Sequence, residues 1–123
     1  MILVVEDESD VREELVEMLE LRGFAVCGAA SVADGIERVR HASEPLILLT
    51  DLRLREGSGL TLVREIDADP ALRAKVLRKI LMTGHIDLTD QCKRDIVKYD
   101  IPLLFKPLDF KILLPLLAQE AVS

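Results

Sequence analysis

No stretch of this sequence is long and apolar enough to cross a membrane. The longest apolar runs, Leu46–Leu49 and Ile112–Ala118, fall far short of the roughly 20 residues a spanning helix needs. No secretory leader is expected either, because Met1 runs straight into Ile-Leu-Val-Val with no basic region and no cleavage-site pattern. Positive charge is in short supply. Sixteen Lys and Arg against 22 Asp and Glu give a formal net charge of −6, which speaks against direct nucleic-acid binding along a basic face. The only two cysteines, Cys27 and Cys92, stand 65 positions apart and form neither a metal-type nor a redox-type pair, so buried, reduced thiols are expected. What the chain does have is hydrophobic residues, 50% of its 123, enough for one compact core without disulfide or metal staples. These features predict a single acidic domain in the cytoplasm.

The hydrophobic pattern alternates between two periods. Ile2–Val5 is a short β-type run, broken by the acidic segment Glu6–Asp10. Val11, Leu15, Met18 and Leu19 then share one helical face, with Asp10 and Glu13 as a capping box and Gly23 as the stop. Phe24–Ala30 predicts a second strand, and Ser31 with Asp34 starts a helix reaching about His41. After Pro45, Leu46–Thr50 is continuously apolar, as a strand buried on both faces is. A polar loop, Asp51–Ser58, leads to a helix with Leu62, Val63 and Ile66 inward, ending near Asp69-Pro70. Beyond the basic stretch Lys75–Lys79 follow a strand at Ile80–Thr83, a helix over Leu88–Tyr99, a strand at Pro102–Phe105 and a last helix capped by Asp109. Pro115 inside that helix predicts a kink or a delayed start. Five strands alternating with five helices predict an α/β fold, a doubly wound five-stranded parallel sheet. In such sheets ligands bind beyond the carboxyl ends of the strands.

Four of those ends carry chemistry. Strand one runs into Glu6-Asp7, strand three into Asp51, strand four into Thr83 and strand five into Lys106. Taken singly, each is an ordinary turn residue. Together they bring three carboxylates, a hydroxyl and an ammonium to one sheet edge. Crowded carboxylates repel and raise one another's pKa, and a hard divalent cation such as Mg²⁺ relieves that conflict. The lysine and threonine would face the oxygens of a phosphoryl group, where positioning and charge neutralisation do most of the work.

The ordered motifs carry a resemblance. Ile2-Leu3-Val4-Val5-Glu6-Asp7-Glu8, Leu48-Leu49-Thr50-Asp51-Leu52-Arg53-Leu54 with Gly57-Ser58-Gly59-Leu60, Ile80-Leu81-Met82-Thr83-Gly84 and Leu104-Phe105-Lys106-Pro107 occur in that order. Their intervals are 44 residues from Asp7 to Asp51, 32 to Thr83 and 23 to Lys106. Along nearly its whole length the chain resembles a response-regulator receiver domain of two-component signalling, of the chemotaxis-regulator kind. The resemblance implies the flavodoxin-like strand order 2-1-3-4-5 and one receiver domain over residues 1–123, with no output domain. It implies Asp51 as phosphoacceptor and Mg²⁺, or Mn²⁺ in its place, held by Asp7, Asp51 and the backbone carbonyl of Arg53, with Glu6 acting through water. Thr83 would hydrogen-bond a phosphoryl oxygen, Lys106 would pair with the phosphate, and the Lys106-Pro107 bond would be cis. The implied partners are a histidine kinase or a histidine phosphotransfer protein. The fourth helix, fifth strand and last helix would form a face for self-association or a downstream protein.

Two positions depart from the family pattern. Arg55 stands where most receivers have proline, which predicts a freer loop over Arg55–Gly59. Leu103 replaces the usual Tyr or Phe, so an aromatic flip is not expected to carry the output. Arg53 and His85 occupy positions where the family varies, and solvated loop roles are expected for both. The apolar side chains of the last helix, Phe110 through Leu117, exceed one buried stripe, which predicts an exposed contact surface. Two other readings compete with the phosphorylation switch. A pseudo-receiver would bind partners without being phosphorylated. A Mg²⁺-dependent phosphatase resembling haloacid dehalogenases needs a second acid two residues after the nucleophile, and Arg53 stands there, so an enzyme is not expected.

Overall fold

The computed structural model describes residues 1–84 and 88–118. The elements in chain order are β1 (Ile2–Val5), α1 (Ser9–Leu21), β2 (Val26–Ala29), α2 (Val32–Arg40), β3 (Leu46–Asp51), α3 (Gly59–Ala68), α4 (Pro70–Arg73), β4 (Val76–Thr83), α5 (Asp90–Lys98), β5 (Leu103–Phe105) and α6 (Phe110–Ala118). The five strands are all parallel and ordered β2-β1-β3-β4-β5, the expected topology.

Side chains alternate across the sheet and divide the core in two. Leu3, Val5, Leu46 and Leu48 face α2, α3 and α4, where they meet Val39, Leu62, Ile66 and Leu72. Ile2, Val4, Ile47 and Leu49 face α1 and α6, where they meet Leu15, Leu19, Leu113 and Leu117. Because both faces are covered, the central strands carry apolar side chains at nearly every position. Helix α5 is the exception among the longer helices. Its one buried residue is Asp95, while Cys92 and Ile96 are only half-buried.

Several element boundaries differ from the sequence reading. The described residues hold six helices, not five, because Asp69 both ends α3 and starts α4. Its carboxylate accepts from the Ala71 amide at 3.0 Å, and Pro70 sits at the first helical position, where its missing donor does no harm. Helix α1 begins at Ser9 with Glu8 as its N-cap and no side-chain capping bond, so the box expected from Asp10 and Glu13 does not form. Asp10 instead lies in the first turn, where a carboxylate opposes the positive end of the helix dipole. Ser31 does cap α2, accepting from the Asp34 amide at 3.1 Å. Strand β4 starts at Val76 inside the basic stretch, and a register shift against β3 leaves Leu77 as an extra, exposed residue. Helix α6 runs from Phe110 past Pro115, so the proline does not delay its start. Cys27 and Cys92 are free but only half-buried, since neither lies at the centre of the sheet. Burial still pushes the Cys27 thiol above its ordinary pKa.

One glycine fixes the approach of α3 to the end of β3. A Cβ at Gly59 would stand 2.4 Å from the Asp51 carbonyl oxygen and 3.0 Å from side-chain atoms of Leu81 and Thr50. Gly59→Ala is therefore expected to destabilise the domain by about 2–3 kcal/mol. Urea unfolding against the native chain measures this, and equal midpoints would show that α3 can retreat freely.

Candidate functional site

Parallel pairing sets the site. Val5 lies beside Thr50, so Glu6 and Asp51 leave adjacent strands at the same level. Strand order reverses between β1 and β3, and the crevice opens at that point. Thr83 lies beside Phe105, and the Lys106 amide donates to the Thr83 carbonyl at 2.8 Å, which brings Lys106 back over the same edge. The Lys106-Pro107 peptide is cis. Arg12 on α1 donates to the Glu6 carbonyl at 2.8 Å and fixes the first turn after β1.

At the centre is the Lys106 ammonium, 2.6 Å from Glu6 Oε1 and 3.0 Å from Asp51 Oδ2. Glu6 is only 1% exposed. Burial pushes its pKa up, and the nearby Asp51 charge adds to that, against the opposing pull of Lys106. Burial alone would lower the Lys106 pKa, but its hydrogen bonds to the two carboxylates and their charges outweigh this and hold it above its ordinary value. The remaining Asp51 oxygen, Oδ1, lies 3.4 Å from the Arg53 amide. Asp7 faces the loop after β3, where its Oδ2 accepts from the Arg55 amide at 3.0 Å and lies 3.6 Å from Arg55 Nε.

One carboxylate oxygen from each of Glu6, Asp7 and Asp51 lies within 4.8 Å of the other two. Three acids against the Lys106 ammonium and the Arg55 guanidinium still leave negative charge uncompensated, and hard oxygen donors at this spacing suit Mg²⁺. An open pocket of about 340 Å³ gives access, lined by Asp7, Asp51, Arg53, Arg55, Gly84 and Lys106 among others. A larger cleft of about 480 Å³ runs between α1 and α2, but its Arg12, Glu13, Asp34 and Arg38 mix both signs and converge on no reacting group.

Of the residues singled out from the sequence, Glu6, Asp7, Asp51 and Lys106 come together directly. Thr83 is fully buried at the adjacent strand end. Arg53 is at the pocket wall with its side chain exposed, and its backbone pairs with Ser58 across the loop. His85 lies outside the described residues. Leu103 packs against the α2–α5 side of the core. The sequence reading missed two contacts. Arg55 is tied to Asp7, and the signal was available: replacing the family's proline restores an amide donor. Buried Asp95 accepts from Arg64 at 2.7 Å and from Gln91 at 3.0 Å, linking α5 to α3. Its signal was an acid three residues after Cys92 and four before Tyr99, on the apolar stripe of its helix.

Comparison with known proteins agrees with this geometry. The chain matches the response regulator receiver domain family over residues 2–117. It is 37% identical over 84 residues to the acid tolerance regulatory protein ActR of Rhizobium meliloti, a match covering 68% of this chain and 41% of that protein. It is 40% identical over 72 residues to the response regulator receiver protein CpdR of Brucella abortus, covering 55% of this chain and 58% of that one. The chain thus spans about two fifths to three fifths of the length of these curated relatives. A response regulator receiver protein of Pseudomonas putida has a similar structure, with a TM-score of 0.81 at 30% identity, covering 94% of this chain and 92% of that chain.

The Lys106 pairings make a stability prediction. Lys106→Met leaves the Glu6 and Asp51 carboxylates without their counter-charge, and in metal-free buffer at neutral pH the variant is expected to be less stable by about 2–3 kcal/mol. In the variant, burial and Asp51 still raise the Glu6 pKa but the lowering hydrogen bond from Lys106 is gone, so Glu6 takes up its proton at a higher pH than in the native chain and sheds the unpaired charge as the pH falls. The deficit against the native chain should narrow on that descent. Urea unfolding across that pH range reads both effects, and a deficit independent of pH would mean that lost packing is responsible.

Proposed function

The chain belongs to the response regulator receiver domain family, and from that footing we propose that Asp51 accepts a phosphoryl group from a phosphohistidine of a histidine kinase or histidine phosphotransfer protein. An Asp51 carboxylate oxygen attacks phosphorus, the P–N bond of the phosphoimidazole breaks, and the neutral imidazole leaves as it takes up a proton. The product is an acyl phosphate on the protein itself, so the domain acts as a signalling module and not as a turnover enzyme. The observation that carries this reading is the position of Asp51: 8% exposed, 3.0 Å from the Lys106 ammonium, and within 4.8 Å of two further carboxylates at the mouth of an open pocket.

Asp7, Asp51 and the Arg53 carbonyl, with Glu6 through water, would hold Mg²⁺ or Mn²⁺. The ion supplies charge neutralisation between the phosphoryl oxygens and the acids when bound. Lys106 is already positioned to exchange its bond with Asp51 for one to a phosphoryl oxygen, and the Thr83 hydroxyl would take another. The pseudo-receiver alternative is not favoured, because Glu6, Asp7, Asp51, Thr83 and Lys106 are all present.

The output would pass through the edge formed by α5, β5 and α6. Val97, Phe105 and Ile112 on these elements are 80%, 48% and 54% exposed, which supports a face for self-association or for a downstream protein. Among the described residues no helix is long and apolar enough to cross a membrane, and a cytoplasmic signalling role is part of the proposal.

Incubation with a small-molecule phosphodonor and Mg²⁺, followed by intact-mass spectrometry, is expected to show one added phosphoryl group on the native chain and none on Asp51→Asn. Equal loading of both would move the acceptor elsewhere, and no loading under conditions that label another receiver would favour the pseudo-receiver. Sedimentation velocity with and without the phosphodonor tests the exposed edge. A larger species is expected after phosphorylation, and a monomer in both states would remove self-association and leave a heterologous partner.

A further inference from the structure

Arg55 makes two contacts with the same atom. Its amide donates to Asp7 Oδ2 at 3.0 Å, and its Nε lies 3.6 Å from that oxygen. The amide contact is a hydrogen bond, whereas the guanidinium at 3.6 Å is an ion pair acting through its charge. Arg55 is 80% exposed whereas Asp7 is 16% exposed, so a solvated arginine reaches in to a largely covered carboxylate. Lys106 does not serve Asp7, since its bonds go to Glu6 and Asp51. Among the described residues Arg55 is thus the cation paired with this third acid of the cluster.

We infer that Arg55 is a resident counter-cation of Asp7 that sets the site's affinity for its divalent ion by competing with it. This rests on the metal reading above. An ion approaching Asp7 either displaces the guanidinium from Oδ2 or takes Oδ1 with the guanidinium still beside it. The first route breaks an ion pair and the second places like charges side by side. Both weaken metal binding relative to a site without this arginine. The amide contributes differently. It is neutral, and it holds the Asp7 carboxylate in one orientation whichever side chain stands at 55, proline excepted.

Isothermal titration calorimetry with Mg²⁺ on the unphosphorylated chain tests this, and the absence of tryptophan makes calorimetry preferable to fluorescence quenching. Arg55→Ala is expected to bind Mg²⁺ roughly two- to five-fold more tightly, the range an exposed ion pair supplies. Arg55→Lys, which keeps the charge, should stay close to the native affinity. The rise in Tm caused by Mg²⁺ should be larger in Arg55→Ala than in the native chain. Arg55→Pro, which removes the amide donor as well, separates orientation from charge: it should bind less tightly than Arg55→Ala. Equal or weaker binding by Arg55→Ala would overturn the inference, as would a lysine variant that behaves like the alanine one. If neither the native chain nor Arg55→Ala bound Mg²⁺, the metal reading itself would fail and this inference with it.

Discussion

A single ammonium group makes the carboxyl edge of this sheet tenable. Glu6 is sealed beneath the surface and Asp51 is nearly so, and their charges would oppose folding if nothing stood between them. Lys106 arrives from the far end of the chain, 100 residues after Glu6, and bonds both. Its placement depends on the backbone: the Lys106 amide is anchored to the Thr83 carbonyl, and β5 in turn is anchored to β4. The order of the strands, the length of β5 and the turn into α6 therefore all bear on one charge balance. An ionic pair of this kind adds little net stability over an apolar replacement, but losing one partner leaves the other stranded. The arrangement suits a site that must exchange partners, because the ammonium is held by acids whose charge an incoming ion or phosphoryl group would redistribute.

The charges are also layered. Lys106 serves the two inner acids, and Arg55 serves the outer one from the loop after β3. The loop expected to be free for want of a proline has three points of attachment instead: the Arg55 amide on Asp7, the Arg53–Ser58 bridge, and the Ser58 cap on α3. The close packing of Gly59 against the Asp51 carbonyl extends this support beneath the acid.

Much of this was legible in the sequence for local reasons. The β1 and β3 runs announce themselves because strands covered on both faces need apolar residues at every position, and the acids and lysine that follow mark where those strands leave the core. The convergence of Glu6, Asp7, Asp51 and Lys106 then follows from topology. Boundaries were less legible where one residue serves two elements, as Asp69 does, or where a strand continues through charged positions, as β4 does from Val76. For the side-chain ties between distant segments, the sequence marked one partner, the amide donor at Arg55 or the acid on the α5 stripe, but not what it would meet. Arg55 lies 48 residues from Asp7 and Arg64 lies 31 from Asp95, and no local periodicity encodes either pairing.

Helix α5 is attached unlike its neighbours, with a carboxylate where the other helices of its length bury aliphatic side chains. Its hold on α3 runs through the guanidinium of Arg64, while its apolar contacts are only partly closed to solvent. Lifting this helix would break the Arg64–Asp95 pair and uncover the core beneath Cys92 and Ile96 in one step. Because Asp95 is buried, added salt would weaken that pair less than it weakens an exposed one. One side of the proposed output edge is therefore held by a polar tie and a hydrocarbon contact that open together.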